Sequence, residues 1–413
     1  MSSGILIIGA GQSGMQIADS LRELGFEGAI TMVGDEQIPP YQRPPLSKGF
    51  LYGEADEESL QFRNEKFYED NRIELVLGDG VVEVQLNSDG ASGVATTASG
   101  RALAFDQLAL APGSTPRKLN LTGSELDGVL YMRNIEDARA LKSHWDGAEN
   151  VVVIGGGFIG LEVAAVARKA GKTVTVLEGL DRMMARAVCP TTSEYFKNFH
   201  ERRGAKIVLN AKIAGFEGDG RKVSGVVLEG GEVVPADIVM IGIGVVARTE
   251  IASQLGLDLP NGLIAVNEFA QTSNPSIVAA GDATLLPNPT GADGQVRLES
   301  VQNAVDQAKV AAKTLMGQRE TYHALPWFWS DQADIKLQIA GLSTGYDQTV
   351  LRGNPDEDSF SVLYYKNGRL LAIDCVNQPV DFMAARRCLT DGQTIDPVAA
   401  ADSSVKLKTL ITN

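Results

Sequence analysis

The chain has 413 residues, 44% of them hydrophobic and 22% charged, the proportions of a folded globular protein too long for a single core. Its net charge of −15 argues against nucleic acid as the main partner, because a phosphate backbone is met by a basic surface. Cys189, Cys375 and Cys388 form no CxxC pair, and His144, His200 and His323 are scattered, so neither a dithiol relay nor a metal centre is expected.

The first strand begins almost at once, at residues 4–8, with no basic, apolar and cleavage-site leader before it. The longest apolar runs, such as 238–247, are glycine-interrupted and about half a membrane span long. A cytoplasmic protein without membrane segments is expected. After the first strand, GAGQSG (9–14) turns the chain into a helical pattern over Met15–Leu24, and AITMV leads into Gly34, Asp35 and Glu36. This is a βαβ unit with a parallel sheet. Residues 37–53, rich in Pro, Gly and Tyr, read as an extended loop. Strand-like pieces continue to LALAPGS at 108–114, and a helix is expected over Ile135–Trp145. A second βαβ unit runs from Val151 to Glu178, around VVVIGGGFIG. Strands alternate with Gly/Asp turns over 205–245, SIVAAGDA closes a strand near 282, and 299–316 reads as one long helix. From 322 aromatics gather, and strands alternate with turns such as KNGR at 366–369. The fold class is therefore α/β with two Rossmann-like dinucleotide-binding domains and a smaller α+β C-terminal domain. The expected boundaries are 1–113 with 240–320, 114–239, and 321–413.

The duplicated motif carries the chemistry. Gly9 and Gly155 permit a tight turn, Gly11 and Gly157 let backbone approach a pyrophosphate, and Gly14 and Gly160 let helix pack on strand. The helix start then offers free N–H groups to phosphate. Acidic residues at the second strand's end, Asp35 with Glu36 and then Glu178, suit ribose hydroxyls. One such motif is weak evidence. Two complete units imply two dinucleotides, read as a resident FAD on the first turn and a visiting nicotinamide on the second. Gly281 and Asp282 fit the flavin's ribityl and pyrophosphate region. The Glu178 carboxylate would repel a 2′-phosphate, which favours NADH over NADPH.

YQRPPLSKGFL, TSNPSIVAAGDAT, RLESVQNAVDQAKVAA and PWFWSDQADIKLQIAGL occur in that order around the two turns. With them the chain resembles the FAD-dependent, NADH-using ferredoxin reductases of bacterial oxygenase systems, from Ile5 to roughly Pro379. The resemblance implies that Ser13, Asp35, Arg43, Lys48, Val81, Arg133, Asp282 and Val301 contact FAD; Ala111 and Gly113 are further cofactor-binding candidates, and Trp329 reads either as a large aromatic packed between domains or as a border of the flavin and the acceptor's docking surface. It places Ile159, Glu162 and Gly244 toward NADH, and implies that Lys48 and Glu162 pair. Lys48 and Glu162 are the expected catalytic residues. Bottom-up, Glu162 reads as a carboxylate favoured by its helix N-terminus. Trp327 and Trp329, two apart in a strand, should share a face.

No cysteine precedes Cys189, so electrons must leave the flavin directly. The implied acceptor is a [2Fe–2S] ferredoxin feeding a cytochrome P450 monooxygenase or a dioxygenase. A rubredoxin is the close variant, and a flavoprotein acting by interaction, like apoptosis-inducing factor, is the alternative of another class. Arg63, Lys309, Lys313 and Lys336 are the candidate docking cations. A monomer or a homodimer would fit.

Overall fold

The computed structural model describes residues 4–413. They divide into two compact units, each assembled from three stretches of chain. The first takes in residues up to Gln42, then Glu58–Thr115 and Val246–Pro326; the second takes Arg43–Glu57, Pro116–Val245 and Trp327–Asn413.

In the first unit a parallel sheet runs in the order Ile277–Ala279, Gln107–Leu110, Ile5–Ile8, Ile30–Val33, Ile73–Val76. Its strands are short apolar runs, and ILII at 5–8 is buried throughout, as a parallel sheet covered on both faces requires. Helices Gln12–Glu23 and Val301–Leu315 pack on each other. An antiparallel sheet of Val81–Leu86, Gly93–Thr97 and Ala102–Phe105 completes the larger elements. The chain starts in the middle of the parallel sheet. Its connections therefore diverge to either side of Ile5–Ile8, and a crevice for a ligand opens at that strand's carboxyl end.

The second unit repeats the device. Its parallel sheet runs Lys206–Val208, Thr173–Leu177, Asn150–Ile154, Ile238–Ile241, Val129–Tyr131, with the divergence at Asn150–Ile154. One face packs Val152, Ile154, Leu177, Val239 and Ile241 against Phe216, Val223 and Val226 of a small antiparallel sheet. The C-terminal part is a five-stranded antiparallel sheet in the order Trp327–Gln332, Ile335–Gly341, Arg369–Val376, Ser359–Lys366, Gln348–Asn354. Asn367 and Gly368 both have positive φ, 49° and 75°, in the two-residue hairpin that KNGR encodes. Helix Pro190–Arg202 meets this sheet through Tyr195, whose ring lies 4.8 Å from that of Phe360.

Two local expectations need correction. The first helix starts at Gln12, not Met15, because the last residues of GAGQSG are already helical. Residues 37–53 are not simply extended: Pro44–Ser47 is a 3-10 turn and Gly49–Tyr52 a helical turn. Proline's fixed φ and missing N–H suit the first position of a helical turn, which is where Pro44 stands.

Candidate functional site

The glycines of the two turns divide by what surrounds them. A Cβ on Gly9 (φ +115°) would lie 2.0 Å from the Ala111 carbonyl oxygen, and one on Gly14 would lie 1.9 Å from the oxygen of Gly9. A Cβ on Gly155 would meet the Gly242 oxygen at 2.5 Å, and one on Gly160 the Gly155 oxygen at 2.3 Å. These four are glycine because protein backbone occupies the space. Gly11 differs, with nothing within 4 Å, and Gly157 has only the Gly242 oxygen at 4.0 Å. Protein packing does not require these two to be glycine, whereas the close approach of a dinucleotide phosphate would. Both are also N-cap residues without a side-chain cap, whereas Asn134 and Ser300 cap their own helices. The first N–H groups of both nucleotide-turn helices are thus left for an anion.

The two turns differ at the acid. Gly9 N–H donates to Val33 O and Gly155 N–H to Leu177 O, both at 2.8 Å, so Gly34 in the first turn corresponds to Glu178 in the second. Gly34 is packed on Ala10, with 2.6 Å from its missing Cβ to the methyl. In the second turn the large and small residues are exchanged, Gly156 facing Glu178. The Glu178 carboxylate accepts from Gly156 N–H at 2.6 Å and Leu180 N–H at 2.7 Å. In the first unit the acids come one and two residues later. Asp35 pairs with Arg248 at 2.7 Å, and Tyr41 donates to Glu36 at 2.5 Å. Arg182 donates to the Val188 and Ala185 carbonyls and to Ser193, all within 2.9 Å. It is built into its own loop rather than held ready for a 2′-phosphate.

The first unit also gathers Gly281 and Asp282 beside the first turn. Gly281 has φ +90°, and a Cβ there would lie 2.5 Å from Ser13 Oγ. Ser114 donates to Asp282 at 2.9 Å, and Arg297 holds the Asp282 carbonyl at 2.8 Å. Gly113 accepts from Arg248 N–H at 3.0 Å, and Gly80, next to Val81, packs on Asp35. Val301 opens the helix that Ser300 caps. The buried Asn303 Oδ1, Gln307 Nε2 and Arg297 Nη2 have no protein partner. Open glycines, uncapped helix starts and these polar atoms fit dinucleotide chemistry.

Arg43, Lys48, Arg133 and Trp329 belong to the second unit. Arg43 donates to the Arg133 carbonyl at 2.8 Å. Lys48 and Glu162 come together: Nζ lies 2.7 Å from Glu162 Oε2. Ser47 donates to the same oxygen at 2.7 Å, and Ser330 donates to Oε1 at 2.7 Å. Glu162 is only 4% exposed, so these charge-assisted bonds compensate its lost hydration. The helix-start explanation for Glu162 needs correction. It is the fifth residue of Phe158–Lys169, outside the first turn, and its partners are side chains from the 43–57 segment and from Trp327–Gln332. Gly244 (φ +99°) lies under Arg186, whose Nη2 would be 3.3 Å from a Cβ there. Ile159 is exposed in the helix's first turn. Trp327 and Trp329 share a face, their rings 5.5 Å apart.

Ser47, Ser330, Gln332 and Arg186 have no role legible in the sequence, where His200 shows only as one of three scattered histidines. A signal existed for two of them. In PWFWSDQ the residues alternating with the tryptophans are Phe328, Ser330 and Gln332, which define the strand's other face.

Known proteins share this fold. Residues 3–308 match the family model described as pyridine nucleotide-disulphide oxidoreductase, and residues 327–411 match the reductase C-terminal model. Rhodocoxin reductase of Rhodococcus erythropolis is 44% identical over 407 residues, covering 98% of this chain and 94% of that protein. The crystal structure of the ferredoxin reductase for the CYP199A2 system of Rhodopseudomonas palustris superposes with a TM-score of 0.94 at 41% identity, covering all of both chains. Putidaredoxin reductase in its covalent complex with putidaredoxin gives 0.93 at 39% identity, covering 98% of this chain and 97% of that one. The chain belongs to the ferredoxin reductases of the pyridine nucleotide-disulphide oxidoreductase family.

The disulphide half of the family's name has no counterpart here: Cys189, Cys375 and Cys388 are free and buried. The expected docking cations of this ferredoxin-reductase chain all have local acids. Arg63 pairs with Asp19 at 2.9 Å, Lys309 with Asp306 at 3.5 Å, Lys336 with Asp331 at 3.8 Å, and Lys313 with Glu320. No helix among the described residues is long and apolar enough to cross a membrane.

Proposed function

We propose that the chain is an NADH-dependent ferredoxin reductase, with FAD on the Gly9–Gly14 turn and NADH on the Gly155–Gly160 turn. Electrons leave for a [2Fe–2S] ferredoxin that serves a P450 monooxygenase or an aromatic-ring dioxygenase. The observation that carries this reading is the pair of nucleotide turns with open middle glycines, Gly11 and Gly157, in a chain whose cysteines are buried and unpaired. A reducing, cytoplasmic setting fits those cysteines.

FAD supplies the conversion from a two-electron donor to a one-electron acceptor. The chain's residues bind, orient and neutralise. Gly11 and the uncapped helix start receive the FAD pyrophosphate, Asp35 and Glu36 serve the ribose end, and Asp282 the ribityl end. In the first unit Val81, Ala111, Gly113 and Val301 would line the same cofactor. Glu178 selects the free 2′-hydroxyl of NADH, since its carboxylate disfavours a second anion there. Glu162, with Gly244 and Ile159, would serve the nicotinamide end, where the Lys48–Glu162 pair would fix the local charge.

The test is turnover of purified holoenzyme with NADH and either a [2Fe–2S] ferredoxin or a rubredoxin. Efficient reduction of the ferredoxin is expected. Faster reduction of the rubredoxin would move the assignment to a rubredoxin reductase, and reduction of neither would overturn it.

A further inference from the structure

The strand Trp327–Gln332 carries the tryptophans on one face, and its other face does something the tryptophans do not. Phe328 packs on Phe158, their rings 4.6 Å apart, beside the helix that holds Glu162. From Glu162 a chain of buried side chains leads inward. Ser330 bonds Glu162 Oε1 at 2.7 Å, Gln332 Nε2 lies 3.3 Å from Ser330 Oγ, and Gln332 Oε1 lies 2.8 Å from His200 Nε2. Ser330, Gln332 and His200 are each at most 1% exposed.

The direction of every bond in this chain is dictated. A carboxylate only accepts, so the Ser330 hydrogen is committed to Glu162. The Ser330 oxygen can then only accept along the strand, and the Gln332 NH₂ must be the donor. That turns the Gln332 carbonyl to His200, whose Nε2 must carry the hydrogen. Burial lowers the His200 pKa, consistent with a neutral ring in that one tautomer. An amide does not relay protons, so the series orients rather than conducts.

We propose that Ser330 and Gln332, anchored by His200, are positioning residues that fix the plane of the Glu162 carboxylate and thereby present its other oxygen to Lys48. The proposal rests on the reading of Lys48 and Glu162 as the charged pair of the nicotinamide end. Without the Ser330 bond, Oε1 loses its donor and the carboxylate is held from the Oε2 side alone, by Ser47 and Lys48, so its plane can tilt about that oxygen and weaken the contact with Lys48.

The experiment compares holoenzyme variants Ser330→Ala, Ser330→Thr, Gln332→Glu and Glu162→Gln. In the resting enzyme, the antisymmetric carboxylate stretch of Glu162 is identified in the infrared as the band missing from Glu162→Gln. It is expected to shift in Ser330→Ala and Gln332→Glu, and to return in Ser330→Thr, which restores the hydroxyl. In stopped flow, the limiting rate of flavin reduction by NADH is expected to fall about tenfold in Ser330→Ala, the size expected for losing one charge-assisted bond. It should recover in Ser330→Thr, with FAD content and NADH affinity unchanged. If Ser330→Ala fails to fold, the isosteric Gln332→Glu carries the test, because a carboxylate cannot donate to Ser330. An unmoved band and unmoved rate in the folded variants would overturn the positioning role. A normal rate in Glu162→Gln would instead overturn the underlying reading of the Lys48–Glu162 pair.

Discussion

The proposed choice of nucleotide rests on one side chain, Glu178. Its two oxygens are tied to Gly156 and Leu180 N–H groups, so the charge is fixed at the turn rather than swinging in solvent. The cation four residues on, Arg182, is spent on carbonyls of its own loop. Glu178→Arg therefore both removes the repulsion and supplies a charge that Arg182 cannot. The ratio of kcat/KM for NADPH over NADH is expected to rise about tenfold or more. Steady-state kinetics with both nucleotides check this, and an unchanged ratio would remove Glu178 from nucleotide selection.

At the scale of the element, the two kinds of glycine in each turn should separate under mutation. Gly14→Ala drives a methyl into backbone at 1.9 Å and should cost about 3 kcal/mol, the upper part of the overpacking range. Gly11 has φ −95° and open space beyond it. Gly11→Ala should keep the melting temperature of the apoprotein and weaken FAD retention. Urea unfolding of the apoprotein and flavin titration tell the two apart, and equal loss of stability in both would contradict the division. Helix Pro190–Arg202 makes a second element-scale case. Thr192 donates to Asp374 at 2.9 Å, Tyr364 donates to the same oxygen, and Cys189 N–H donates to Tyr364 at 2.8 Å. Burial pushes the Asp374 carboxyl up to about 7. From about pH 4, where an unfolded aspartate ionises, to about pH 7 the folded chain keeps a proton that the unfolded chain releases. Stability from this group therefore falls as pH rises through that window and levels above it. Asp374→Asn should flatten that slope in urea midpoints taken across the range. What is legible in a sequence depends on how far apart the partners lie along it. Both nucleotide turns were legible because strand, glycine spacing, helix and acid lie within one short segment, and KNGR announced its hairpin locally. The Glu162 environment was not, because Ser47 and Ser330 reach it from 115 and 168 residues away. His200 meets Gln332 across 132 residues, and nothing in the local pattern at either end marks the partner. The first helix starts before its apolar periodicity does, because its opening turn is itself the glycine motif.

For the whole molecule, a net charge of −15 means that an acidic ferredoxin is repelled at long range and must be met by local cations. The resemblance pointed to four such groups, and each turns out to sit beside an acid. Lys336 is among the looser of these, 3.8 Å from Asp331 and 55% exposed, and can exchange that partner for an incoming carboxylate at little cost. Lys336→Glu should raise the KM for ferredoxin several-fold at low salt, the effect shrinking as ionic strength rises. NADH–ferricyanide turnover should be unchanged, since a small oxidant needs no docking surface. A parallel loss of both activities would assign Lys336 to the fold instead.

The distribution of the three thiols makes the molecule its own probe of opening. Cys189, Cys375 and Cys388 are all buried, and all belong to the second unit. A maleimide dye should leave the native protein unlabelled and mark it only as that unit opens, with the first unit silent throughout. Labelling rate against denaturant, set beside loss of bound flavin fluorescence quenching, would show whether the two units melt together or in turn. Single cysteines placed on the exterior for a fluorophore or a surface tether would need no prior removal of the native ones.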